Sequence, residues 1–243
     1  MAKILVTGSS DGLGRGAAEE LLDGGHAVVV HVRTEARLAA VDDLLGRGAQ
    51  AVVGDLADPD QVRDLARQAN GLGRFDAVIH NAGVLDGPSV LPVNVVAPYV
   101  LTAAIERPDR LVYLSSGMHR GGRADLRGVD WSGARAARSY SDSKLFVTAL
   151  MAAVARLWPD VSAHAVDPGW VPTRMGGPGA PDDLRLGHLT QAWLAEGSAP
   201  QAQVSGRYWF HQKPREPHPA VNDQHFQDEL LSSLADYSGM VIR

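Results

Sequence analysis

The chain has no cysteine, which removes disulfide staples, thiolate nucleophiles and cysteine-ligated metal centres together. It has no stretch near the roughly 18 apolar residues a membrane helix needs. Its first residues pass straight into a strand-like run, without the charged-then-apolar order of a secretory signal. One-sided charge is lacking as well: 23 basic against 28 acidic residues leave a net −5, with no long run of one sign. Nucleic acid and anionic membrane are therefore poor partners, and a reduced, cytoplasmic setting is expected. The nine histidines form no H-x-x-x-H pair or carboxylate-backed cluster, so no metal site is expected.

What is present begins at the first turn, Lys3-Ile4-Leu5-Val6-Thr7-Gly8-Ser9-Ser10-Asp11-Gly12-Leu13-Gly14. An apolar run meets glycines, and Leu13, Ala17, Ala18, Leu21 and Leu22 then follow at helical spacing. The order is strand, tight turn, helix. Gly8 permits a sharp exit from the strand, Gly12 leaves room for a bound group, and Gly14 lets the helix approach the strand. Unpaired N–H groups and the positive dipole end of that helix favour a phosphate, which predicts a dinucleotide site.

Short apolar runs recur at 27–31, 51–53, 77–80, 110–114, 162–166 and 206–210, separated by helical patterns. Helices are expected near 38–45, from Asp58-Pro59 onward, over 90–105 with irregularity at Pro92 and Pro98, and over 140–158, 184–195 and 226–234. The alternation predicts an α/β fold: one domain over residues 1–243, with a doubly wound parallel sheet of about seven strands and helices on both faces. Ligands of such sheets sit beyond the carboxyl ends of the strands. Gly8, Asp55, Asn81, Ser116 and Pro168 all fall at such ends. The stretches 117–138 and 170–186 are expected to be variable substrate loops.

Tyr140 and Lys144 stand four apart on one predicted helix and share a face. A phenol titrates near pH 10 and serves poorly as an acid or base at neutrality, but a neighbouring ammonium stabilises its anion. Ser116, at a strand end, is placed to bond a substrate oxygen beside the tyrosine. Met118, Trp170 and Met175 flank this position as a candidate apolar wall. Arg120, Arg123, Arg127, Arg135 and Arg138 are interspersed with Asp125 and Asp130 and read as a solvated loop.

In order and in register, these motifs resemble the short-chain dehydrogenase/reductase family along nearly the whole chain. Thr7, Gly8, Ser10, Asp11, Gly12, Leu13 and Gly14 resemble its cofactor turn, Asp55-Leu56 its adenine contact, and Asn81-Ala82-Gly83 its fourth-strand motif. Ser115-Ser116 and Tyr140-Ser141-Asp142-Ser143-Lys144 resemble its catalytic segments, and Pro168, Gly169, Val171 and Thr173 its nicotinamide loop. The resemblance implies a Rossmann-type fold and hydride transfer between a nicotinamide and a carbonyl or alcohol carbon. It implies Tyr140 as general acid or base and Lys144 as the group that lowers its pKa and holds the ribose. It further implies Ser116 as the oxygen-orienting serine, Asn94 as a fourth member of the site and a possible homo-oligomer. The 24 positions between Ser116 and Tyr140 are similar to the retinol-dehydrogenase and protochlorophyllide-reductase branch. The 13 positions between Asn81 and Asn94 are short for the family, so the intervening helix is expected to be trimmed or absent.

At the end of the second strand, His31-Val32-Arg33-Thr34 carries no acid to bind a ribose hydroxyl, whereas Arg33 suits a 2′-phosphate. NADP is favoured over NAD. The alternatives are an epimerase or dehydratase on the same scaffold, or a regulator that binds NADP without turnover. The intact Tyr140–Lys144 pair weighs against the regulator, and the Gly8, Gly12, Gly14 spacing weighs against the epimerase type.

Overall fold

In a computed structural model describing residues 1–135 and 138–242, β1 (Lys3–Val6) leads through Gly8, at φ +67°, into α1 (Gly12–Asp23). Asp11 caps α1, its carboxylate accepting the Gly12 N–H, and Gly24 and Gly25 end it. β2 (Ala27–Val32) is followed by a 3₁₀ turn over Glu35–Val41 and the short α2 (Asp42–Gly46). β3 (Gln50–Val53) precedes α3 (Pro59–Gly71), where Asp58 accepts from the Asp60 and Gln61 N–H groups. β4 (Ala77–His80) then runs into a helix-free stretch over 81–89.

The helix expected over 90–105 is interrupted. A π turn at Pro92–Val96 precedes α4 (Ala97–Ala104). Pro98 has no N–H to donate four residues back to Asn94. Ala97 instead reaches back five residues, to the Pro92 carbonyl. Next come β5 (Arg110–Leu114), α5 (Tyr140–Leu157), β6 (Ser162–Asp167), α6 (Leu184–Glu196) and β7 (Arg207–Phe210). β8 (Lys213–Arg215), absent from the sequence expectation, precedes α7 (Gln224–Ser238). The expected span 1–243 and loop 117–138 include Ala136, Ala137 and Arg243, which lie outside the described residues.

The strands form one sheet in the order β3-β2-β1-β4-β5-β6-β7-β8, parallel except for β8, which runs antiparallel to β7. Alternation along each strand sends side chains to two cores. Leu5, Val29, Val52, Val78 and Tyr113 pack with residues of α3, α4 and α5. Ile4, Val6, Val30, Ile79 and Val112 pack with Leu21 of α1 and Leu194 of α6. Burial of each such aliphatic side chain contributes about 1.5–3 kcal/mol. Chain order reverses between β1 and β4, which opens a crevice at their carboxyl ends. Among the described residues no helix is long and apolar enough to cross a membrane.

Candidate active site

The crevice is a cavity of about 930 Å³, near the upper end of the ~300–1,000 Å³ typical of ligand clefts. Gly8, Ser10, Asp11, Gly12, Leu13 and Gly14 line one end. A Cβ on Gly14 would come within 2.3 Å of both the Gly8 carbonyl and Asn81 Nδ2, so only glycine lets α1 sit this close to β1 and β4. Asn81 Nδ2 donates to the Thr7 carbonyl at 2.9 Å and the Gly8 carbonyl at 3.3 Å. Thr7 itself is buried and does not line the cavity. Its hydroxyl accepts the Asn81 and Ala82 N–H groups, tying β1 to β4 behind the turn. Arg33, Asp55, Leu56, Asn81, Ala82 and Gly83 continue the wall, and Pro168, Gly169, Val171 and Thr173 face it from the other side.

The two ends of the proposed chemistry meet here. Tyr140 and Lys144 open α5 and line the cavity with Ser116. Burial pushes the Tyr140 phenol up to about 12; the Ser116 side chain opposes this and Asp167 raises it further. Lys144 is fully enclosed, which pushes its ammonium down to about 8. Its Nζ donates to the Leu114 carbonyl at 2.7 Å and lies 5.4 Å from the Tyr140 ring centre. Ser115, the other serine of the pair, is buried and spent on Thr148 Oγ1 at 2.6 Å.

Asn94 does not line the cavity. Its Oδ1 accepts the Val84 N–H at 2.8 Å, and its Nδ2 donates to the Val84 carbonyl and to Ser143 Oγ. Behind Gly83 it nevertheless adjoins the lysine: a Cβ at Gly83 would stand 3.4 Å from both Asn94 Oδ1 and Lys144 Nζ. Met118, Trp170 and Met175 line the open side of the cavity. Four of the five loop arginines bond elsewhere. Arg120 bonds the Glu216 carbonyl, Arg123 pairs with Asp142, Arg127 with Asp125, and Arg138 bonds the Arg127 carbonyl.

Four supporting residues escaped the sequence reading. His31 Nδ1 accepts the Gly8 N–H at 2.9 Å while its Nε2 donates to the Gly54 carbonyl at 2.8 Å, bracing the glycine turn. Burial lowers its pKa and keeps the ring neutral, as an accepting nitrogen requires. Arg37 reaches Ser10 Oγ at 3.3 Å, a second cation at the cleft that Arg33 and Ser10 line. Gln191 of α6 bonds Asn81 Oδ1 and the Leu13 carbonyl. His119 donates to the Ser116 carbonyl and accepts the His218 N–H, fastening the serine to the C-terminal segment. Only Arg37 carried a signal, its position four residues after Arg33. His31, Gln191 and, through His218, His119 meet partners 23 or more positions away.

A glycine-turned helix start, with Ser116, Tyr140 and Lys144 in one cleft at a reversal of strand order, fits the class of dinucleotide-binding α/β oxidoreductases. The chain belongs to the short-chain dehydrogenase/reductase family. The short chain dehydrogenase family model matches residues 2–106. Short-chain dehydrogenase chyC of Penicillium rubens is 37% identical, the alignment covering 99% of this chain and 98% of that one. Among solved structures, an uncharacterized protein of Mycobacterium paratuberculosis superposes with a TM-score of 0.82 at 23% identity, over 100% of this chain and 95% of that chain. A short chain dehydrogenase of Shigella flexneri complexed with NADP gives a TM-score of 0.69 at 26% identity, over 87% and 97% of the two chains.

Proposed function

We propose that the chain is a single-domain NADP(H)-dependent oxidoreductase that transfers hydride between the nicotinamide and a small carbonyl or alcohol substrate. The observation that carries this reading is that Ser116, Tyr140 and Lys144 line the same cleft as the Gly8–Gly14 turn. A nicotinamide bound there supplies or accepts the hydride. The residues do the rest. The first turn of α1 and the Gly8 turn bind the pyrophosphate, and Arg33 with Arg37 meets the 2′-phosphate through charge-assisted bonds. Ser116 orients the substrate oxygen, and Tyr140 delivers a proton from its phenolic oxygen in reduction or removes one in oxidation. Lys144 holds the nicotinamide ribose and favours the phenolate. Asn94 fixes the segment at Val84 and, through Ser143, the start of α5.

The test is NADPH consumption with a panel of aldehydes and ketones. Tyr140→Phe should lower kcat by roughly 10²–10⁴-fold, the span of a lost general acid, while NADPH affinity stays close to wild type. Full turnover in that variant would refute the catalytic assignment.

A further inference from the structure

Asp167 ends β6 and lines the cavity beside the catalytic pair. Its Oδ2 accepts the Tyr208 hydroxyl at 2.9 Å and its Oδ1 the Gly169 N–H at 3.0 Å. Among the described residues no ion pair includes it. An ionised carboxylate offers about four lone-pair sites, and the two bonds above use only part of them. The carboxylate faces the residue next to Ser116: a Cβ on Gly117 would lie 3.1 Å from Oδ2. Val84, Leu85, Val93, Met118, Trp170 and Met175 line the same cleft and give it an apolar wall. Arg174, on the exposed loop, also lines the cleft, while Lys144 is turned to the Leu114 carbonyl.

We propose that Asp167 receives a hydrogen-bond donor of the substrate, which carries a hydroxyl or N–H next to its reacting carbon on an apolar body and no negative charge there. This rests on the cleft being the substrate site. A carboxylate on the reacting carbon's neighbour would meet Asp167 as a like charge in a partly desolvated site, whereas a hydroxyl there completes an acceptor already fixed by Tyr208.

Two probes share one skeleton, 1-phenyl-1,2-ethanediol and mandelate. Their binding to the enzyme–NADPH complex, in which neither alcohol can be oxidised, is measured by calorimetry. Wild type should bind the diol at least about tenfold more tightly than mandelate, and Asp167→Asn should shrink that gap to about threefold or less. Asparagine keeps an acceptor for Tyr208, and a thermal melt checks the fold. Gly117→Ala leaves the charge but crowds its open face; it should weaken the diol about fivefold while mandelate stays rejected. An unchanged gap in Asp167→Asn, mandelate preferred by wild type, or no binding of either probe would overturn the inference. Failure of the proposed reaction reads differently: the probes bind as expected, but 2-hydroxyacetophenone is not reduced by wild type.

Discussion

Arg33 follows β2 and lines the cleft, Arg37 reaches Ser10 Oγ from the 3₁₀ turn, and no carboxylate ends β2 to oppose them. Arg33→Asp should therefore raise the Kd for NADPH at least about tenfold more than that for NADH, since a charge-assisted bond of roughly 1.5–3 kcal/mol is lost only with the 2′-phosphate. Equal loss for both cofactors, read by fluorescence titration, would remove Arg33 from the phosphate site. At this scale the sequence was legible where a side chain does its own chemistry. Tyr140, Lys144 and Ser116 could be picked out because phenol, ammonium and hydroxyl suit one proposed acid–base task, and all three line the cleft. His31 and Gln191 were not, because their work is to bond carbonyls and N–H groups that reach them only after folding.

The edge hairpin shows why one strand went unseen. Phe210 and Lys213 pair across His211 and Gln212, both left-handed, at φ 47° and 60°. A two-residue turn of this kind is normally announced by Asn-Gly or Asp-Gly, and His-Gln gives no such signal. Holding glutamine in this region costs about 1–2 kcal/mol, against which glycine loses about 0.5–1 kcal/mol of chain entropy. Gln212→Gly should thus stabilise the fold by roughly 0.5–1 kcal/mol and raise Tm by a few degrees in a thermal melt; a lower Tm would contradict the strained-turn account. The Gln212 N–H bond to Thr190 Oγ1 is backbone-borne and survives the change. The π turn at Asn94 was half legible: Pro92 and Pro98 marked the irregularity, but not the five-residue reach of Ala97.

The whole molecule buries several histidines, and burial lowers the pKa of His80 and His164 most clearly. Burial pushes His80 down to about 3 and, as its largest effect, His164 down to about 4. The unfolded chain takes up protons on these rings near pH 6.5 while the folded chain does not, so stability is full above that value and declines as pH falls from 6.5 toward 3. Each unit of depression is linked to about 1.4 kcal/mol. His80→Phe, which keeps a ring against Tyr113 at the 4.8 Å stacking position, should flatten the fall of Tm between pH 6.5 and 4. The same slope in both proteins would show that His80 does not drive it. By itself the sequence determined the alternation of strands and helices and the glycine turn, and it singled out Ser116, Tyr140 and Lys144 as candidates, because periodicity, backbone freedom and side-chain chemistry are local properties. Only the tertiary structure decided that Asp167 lines the cleft, that His31 and His119 bond the Gly8 and Ser116 segments, and that β8 closes the sheet edge. Those depend on distances between segments far apart in the chain, and they are set by how the two cores pack against the sheet.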